Sequence, residues 1–207
     1  LRFHQNRISS GSSLYQSDFG MIEYTGVGSG PPILALHGSG GGFDQAADNI
    51  GPMAQAGFSI VCPSRFGYLR SDNPAGASPE MQADAMAALL KQLKTGPSAV
   101  LGFSAGAVPA LHFAARHPDL CKALGLLVPA VTLGDVRPAP EGGLIAKSLV
   151  EYAVQSDFLF WLGCQYSPTQ IYGSVLATNP DLISSASPEE QARAAAAAAK
   201  AAFPGWS

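Results

Sequence analysis

A serine held between two glycines at the end of an apolar run constrains this chain more than any other feature. Ala99-Val100-Leu101 leads directly into Gly102-Phe103-Ser104-Ala105-Gly106, and a helical stretch from about Ala105 to Arg116 follows. G-x-S-x-G in that setting is a strand-to-helix turn sharp enough to push its central residue into a sparsely populated backbone conformation. Side chains two positions to either side would run into the adjoining helix and strand, so Gly102 and Gly106 serve as the elbow glycines that remove those collisions. The serine hydroxyl then stands at the C-terminal end of a strand and at the mouth of a helix, where the first free N–H groups stabilise negative charge. Taken alone, the five residues also fit a small-residue turn with no chemistry. The rest of the chain has to decide.

Upstream, Leu14 to Phe19 and Met21 to Thr25 flank Gly20 and read as a hairpin at a sheet edge. From Ile33 to Leu36 apolar residues run without alternation, as in a parallel strand buried on both faces. That run ends at His37-Gly38-Ser39-Gly40-Gly41-Gly42, which lacks the Lys-Ser/Thr of a phosphate loop and the spacing of a dinucleotide fingerprint. Nucleotide binding is therefore discounted. A helical stretch from Phe43 to Ala56 leads to a strand over Phe58 to Cys62 and a loop running to Ser71. The next helix is bracketed by Ser78 as N-cap, Pro79 in the first turn and Gly96-Pro97 as terminator, with Met81, Ala85, Ala88, Leu89 and Leu93 as its buried stripe. After the elbow, Ala123 to Val128 reads as another buried strand. Strand and helix alternate from Ile33 to Val128, so the fold class is α/β: a mostly parallel sheet with an N-terminal antiparallel hairpin. The loops at His37 to Gly42, Ser64 to Ser71, Ser104 with Ala105, and Pro129 to Thr132 then share the rim at which such sheets bind ligands.

Composition narrows the partners. A net charge of -3, with only 13% of residues charged, provides no basic footprint for nucleic acid. Cys62, Cys121 and Cys164 are odd in number and widely spaced, which fits neither a disulfide framework nor a zinc pattern. They read as buried small hydrophobes. No apolar run approaches the ~20 residues that span a bilayer, and the polar first residues look nothing like a signal sequence, so the expectation is a cytoplasmic protein with no membrane partner, no metal and no cofactor.

Beyond Pro129 the pattern changes. Leu144 to Gln155 is helical, Phe158-Leu159-Phe160-Trp161-Leu162 forms an aromatic cluster, and Ser187-Pro188-Glu189-Glu190 is a capping box opening an Ala-rich helix. The expected division is a core over residues 1–132 and a helical cap over 133–207, with the aromatics packing among themselves more than against a ligand.

Several motifs now stand in one order: a strand ending in His37-Gly38-Ser39-Gly40, then Arg65-Phe66-Gly67-Tyr68-Leu69-Arg70-Ser71, then the serine elbow, then His117-Pro118 and Val128-Pro129-Ala130. From about Met21 to Ala130 this arrangement resembles the α/β-hydrolase superfamily. Ser39 to Gln45 together with Pro63 to Arg70 looks like a subgroup of bacterial hydrolases within it. The resemblance implies Ser104 as nucleophile, the His37 loop as an oxyanion loop, and the N–H groups of Ser39, Gly40 and Ala105 as its donors. His37 itself precedes that loop on the wrong strand for a base and is expected to order it.

Family order places an acid and then a histidine after the serine, yet no histidine follows His117. His112 and His117 lie on the helix leaving the elbow and take structural readings, while Asp135 is a weak candidate for the acid and Asp157 and Asp181 read as cap-surface or helix-end residues. The resemblance therefore implies a fragment that lacks the C-terminal strands and the base. The expected function is hydrolysis of a small ester, amide or similar acyl compound through a Ser104 acyl-enzyme. The alternatives are a non-catalytic hydrolase-fold ligand-binding or interaction protein, or a cofactor-free perhydrolase or acyltransferase. A serine at the elbow argues against dehalogenase or epoxide hydrolase chemistry, which in this superfamily uses an acid there.

Overall fold

The computed structural model describes residues 11–39, 41–131 and 180–192. The chain divides into two compact units, Leu1–Leu133 and Gly134–Ser207. In the first, the described strands are β1 (Ser13–Ser17), β2 (Gly20–Val27), β3 (Pro32–Leu36), β4 (Ser59–Pro63), β5 (Ser98–Phe103) and β6 (Cys121–Leu127), ordered β1-β2-β4-β3-β5-β6 in one sheet. β1 and β2 form an antiparallel hairpin that pairs antiparallel with β4, whereas β4, β3, β5 and β6 run parallel. The expected mixed sheet is thus present. All four parallel strands deliver their C-terminal loops to the same edge.

Helices α1 (Phe43–Gln55), α2 (Pro79–Leu93) and α3 (Ala107–Arg116) cover the two faces. The unbroken apolar run in β3 follows from that sandwich, because alternate residues enter different cores. Leu34 and Leu36 pack with Met86, Leu89, Leu90 and Phe113. Ile33 and Ala35 pack with Phe43, Ala46, Ile50, Ile60 and Cys62 on the opposite face.

Two helix ends differ from expectation in their wiring. At the start of α2, Ser78 Oγ accepts the Met81 N–H at 3.2 Å, as its N-cap position predicts, but the helix stops at Leu93, with Lys94 left-handed at φ 54°. Gly96-Pro97 therefore lies in the loop beyond. The start of α1 has no side-chain cap of its own; Ser64 Oγ, from the loop after β4, accepts the Phe43 N–H at 3.0 Å. One orphan donor of the helix is satisfied from across the fold.

The buried face of α2 is a correction. Gln82, Ala83, Ala85, Met86, Ala87, Leu89 and Leu90 are buried, while Met81, Ala88 and Leu93 are only partly so. A single narrow stripe underestimates this helix because it packs on both the sheet and α3, which widens and rotates its covered arc. β6 is a second correction. Read as a buried strand, it is the last in the sheet order among the described residues, and Leu124 and Leu127 are exposed, as is Val128 just beyond it, by 89%, because no described element packs on that edge.

Of the second unit, the structure describes α4 (Pro180–Ser185), with Asp181 in its first turn. The capping box beside it forms: Glu190 N–H donates to Ser187 Oγ at 3.2 Å, and Ser187 N–H donates to Glu190 Oε2 at 3.2 Å. The expected helix over Leu144 to Gln155, the aromatic cluster, Cys164, Asp135, Asp157 and the loop residue Gly40 lie outside the described residues.

Candidate active site

Ser104 sits where β5 gives way to a short 3-10 turn, Ser104–Gly106, that runs into α3. Its φ is 49°, in the left-handed region that costs an L-residue roughly 1 kcal/mol or more. The flanking glycines are there for space. A Cβ on Gly102 would lie 2.7 Å from Ala107 Cα and 2.8 Å from Ala110 Cβ. One on Gly106 would lie 2.5 Å from the His37 carbonyl oxygen and closer still to that of Leu36. The elbow is thus wedged against the end of β3. Its own carbonyl is held from the far side, where Ala130 N–H donates to Ser104 O at 3.0 Å.

The loop after β3 faces this serine. A Cβ built on Gly38 would come 3.2 Å from Ser104 Cβ, a tight contact that would press the two backbones apart by a few tenths of an ångström. Gly38 N–H donates to Gln45 Oε1 at 2.8 Å, and Gln45 Nε2 reaches back to Ser39 O at 3.4 Å. Ser39 is exposed, and its N–H has no acceptor among the described residues. Ala105 lies in the first turn after Ser104, where helical N–H groups lack an intrahelical acceptor.

His37 is fully buried, and its two ring nitrogens have opposite roles. Arg65 N–H donates to Nε2 at 2.9 Å, which leaves the ring proton on Nδ1, 2.7 Å from the Gly38 carbonyl oxygen. Burial, reinforced by the Arg65 charge and opposed by the Gly38 hydrogen bond, pulls the ring's pKa down to about 3. The ring is neutral and engaged on both sides. Tyr68 packs edge-on against it, with centroids 4.7 Å apart, and the Arg65 guanidinium lies 4.7 Å from the Tyr68 ring centroid.

A buried polar hub beneath the loop was invisible to sequence reasoning. Glu23 on β2 is completely buried, and its carboxylate accepts from Arg70 Nε at 2.7 Å, Arg70 N–H at 3.1 Å, Ser12 Oγ at 2.6 Å and Ser64 Oγ at 3.3 Å. Ser71 Oγ in turn accepts the Glu23 N–H at 2.9 Å and donates to Ser64 O at 2.8 Å. This cluster ties the loop carrying Arg65 to the antiparallel hairpin. No local pattern marks it, because apart from Ser12 the partners of Glu23 lie more than 40 positions away in the chain.

The remaining described histidines are engaged elsewhere. His117 Nε2 lies 2.8 Å from Asp84 Oδ1, and the same carboxylate is gripped by Arg116 at 2.9 and 2.7 Å, which holds it below the usual carboxylate range. His112 Nδ1 lies 3.4 Å from Glu80. Both pairs join α2 to α3. Cys62 is buried, and desolvation raises its thiol to about 12, so it is inert, while Cys121 is half-buried. No cluster of histidine, cysteine and carboxylate side chains able to hold a metal occurs among the described residues. Nor is any described helix long and apolar enough to cross a membrane.

A mixed sheet of this order, with a strained serine after its fifth strand and a glycine loop facing it, defines an alpha/beta hydrolase architecture. The chain belongs to the alpha/beta hydrolase fold family, whose profile matches residues 31–172. It is 29% identical over 166 residues to an epoxide hydrolase of Caballeronia sordidicola, a match covering 78% of this chain and 48% of that protein. It is also 37% identical over 108 residues to a pimeloyl-[acyl-carrier protein] methyl ester esterase of Chromobacterium violaceum, covering 49% and 38%. The chain thus spans about half, or less, of these relatives' lengths. Among solved structures, an alpha/beta hydrolase fold protein from Nakamurella multipartita superposes with a TM-score of 0.70 at 23% identity, over 92% of this chain and 68% of that one.

Proposed function

We propose that this chain carries the nucleophile and oxyanion hole of a serine hydrolase acting on a small ester, amide or similar acyl compound. The observation that carries the reading is the strained Ser104, at φ 49°, facing a loop whose Ser39 N–H is left without an acceptor among the described residues. A fold does not keep that strain at a solvent-accessible rim without compensation, and such outliers concentrate where a side chain must be presented. In the proposed reaction Ser104 Oγ attacks the acyl carbon and passes its proton to a base, while the developing oxyanion accepts the N–H groups of Ser39 and Ala105. Gly40 is a third candidate donor. Collapse of the tetrahedral adduct expels the leaving group, and water then releases the acyl chain from Ser104.

The base is not among the described histidines. His37 is neutral with both nitrogens occupied, and His112 and His117 bind carboxylates between α2 and α3. Residues 133–207 are assigned to a helical cap segment, following the change of sequence pattern after Pro129. The resemblance to an epoxide hydrolase does not extend to the reacting group, because chemistry of that kind in this superfamily uses a carboxylate at the elbow, where this chain has Ser104.

Fluorophosphonate labelling of the protein expressed from its complete reading frame tests the proposal. A covalent adduct located on Ser104 by peptide mapping, and absent in Ser104→Ala, supports it. Labelling that persists in the variant, or none in either protein, overturns it and leaves a hydrolase-fold binding protein as the reading to pursue.

A further inference from the structure

The loop facing Ser104 contains a peptide group whose direction matters more than any side chain in it. Ser39 N–H and Gly38 C=O belong to one peptide unit, which is planar and trans, so the two point in opposite directions. Whatever holds the carbonyl therefore aims the N–H. The Gly38 carbonyl oxygen is held by two donors: His37 Nδ1 at 2.7 Å and Arg65 Nη2 at 3.0 Å. One belongs to the preceding residue, whereas the other arrives from the loop after β4.

We propose that Arg65 is a positioning residue for the oxyanion hole: its guanidinium fixes the Gly38 carbonyl and thereby turns the Ser39 N–H outward to the rim at which Ser104 stands. This inference rests on the hydrolase reading above. Three observations support it. First, Arg65 grips the unit twice, through its side chain on Gly38 O and through its backbone N–H on His37 Nε2, which settles the tautomer that lets Nδ1 donate to that same oxygen. Second, the Arg65 side chain has no carboxylate partner among its described contacts, and its buried Nε has no hydrogen-bond partner among the described residues. A cation kept half-buried with a donor unmet is not placed for its own solvation, and an orphan of that kind calls for a functional account. The neighbouring Arg70 shows the contrast, because its Nε donates to the Glu23 carboxylate and its Nη2 to Ser12. Third, Gly38 has no Cβ to resist rotation of the peptide, so without an external hold the unit is free to turn its carbonyl to Ser104 and close the hole. The positive charge on Gly38 O also polarises the peptide, which makes Ser39 N–H a stronger donor.

The test compares wild type, Arg65→Met and Arg65→Lys, each expressed from the complete reading frame. An oxyanion hole discriminates oxygen from the weaker acceptor sulfur, so the ratio of oxoester to thionoester turnover reports its integrity. A loss of packing alone lowers both rates together. Arg65→Met is expected to lower kcat for the oxoester about tenfold, as loss of a charge-assisted hydrogen bond predicts, with KM nearly unchanged and the ratio reduced. Arg65→Lys, which keeps a cation and a donor, should recover part of both. If Arg65→Met does not fold, Arg65→Gln carries the same comparison. An unchanged kcat and ratio in the Met or Gln variant overturns the proposal. A wild type with no Ser104-dependent turnover is instead a failure of the hydrolase reading. A crystal structure of the variant then decides the positioning role: a Gly38 carbonyl still directed at His37 Nδ1 overturns it, and a rotated peptide upholds it.

Discussion

Acid should cost this protein more than it costs a variant that lacks the His37 ring. In the folded state the ring stays neutral down to about pH 3, because burial and then the Arg65 charge oppose its protonation more strongly than the Gly38 hydrogen bond favours it. In the unfolded chain the same ring takes up a proton near its ordinary value of 6.5. Between those two values the unfolded state binds one more proton, so unfolding becomes easier as the pH falls, by about 1.4 kcal/mol per unit. The stability held above pH 6.5 is lost progressively on the way to the folded value, about 5 kcal/mol in all. His37→Gln removes the titration and keeps an oxygen to accept the Arg65 N–H. Urea unfolding of both proteins, followed by circular dichroism from neutral pH to about pH 4, isolates the term, since carboxylates titrate in both and cancel in the difference. Wild type should lose about 3 kcal/mol relative to His37→Gln across that interval. Parallel curves would show that the folded ring protonates normally, which is incompatible with Nε2 accepting the Arg65 N–H.

Gly106→Val puts a branched Cβ into the carbonyl oxygens of Leu36 and His37, so its urea midpoint should fall by the equivalent of about 3 kcal/mol or more. An unchanged midpoint would mean the elbow is not wedged against β3. Arg70→Met strands the Glu23 carboxylate in the interior and should cost about 3 kcal/mol, most of it recovered by adding Glu23→Gln. Coupling between the two changes near zero in the double-mutant cycle would refute the hub.

The core elements were legible because each is written in a local signal. Ile33 to Leu36 lacks alternation because both faces of β3 are covered, Ser78 and Pro79 mark a helix start by capping chemistry, and Gly102 and Gly106 flank a serine for reasons of space. What escaped was non-local. The arc buried on α2 depends on α3, which no periodicity within α2 records. Ser64 caps α1 from 21 positions downstream, and Glu23 collects donors from 41 and 47 positions away, so neither role leaves a pattern at its own site. At the candidate site, Ser104 and its glycines could be read directly. Arg65 and Gln45 could not, because their task is to hold backbone atoms of Gly38, and backbone atoms look the same in every residue.

The hydrogen bond from Ala130 to the Ser104 carbonyl sets a point of reference for everything that follows it in the chain. Departure from the sheet is surveyed from Ser104 itself, since a backbone amide three residues beyond β6 is pinned to it. Downstream sequence can then lengthen, shorten or change its character without moving the serine, because variation enters after the mark and not before it. Upstream of the mark, by contrast, a single inserted residue between Leu127 and Ala130 would pull on the elbow. The protein should therefore tolerate change asymmetrically about Ala130, and a scan of single-residue insertions through residues 126–132 would draw that border to within a residue or two.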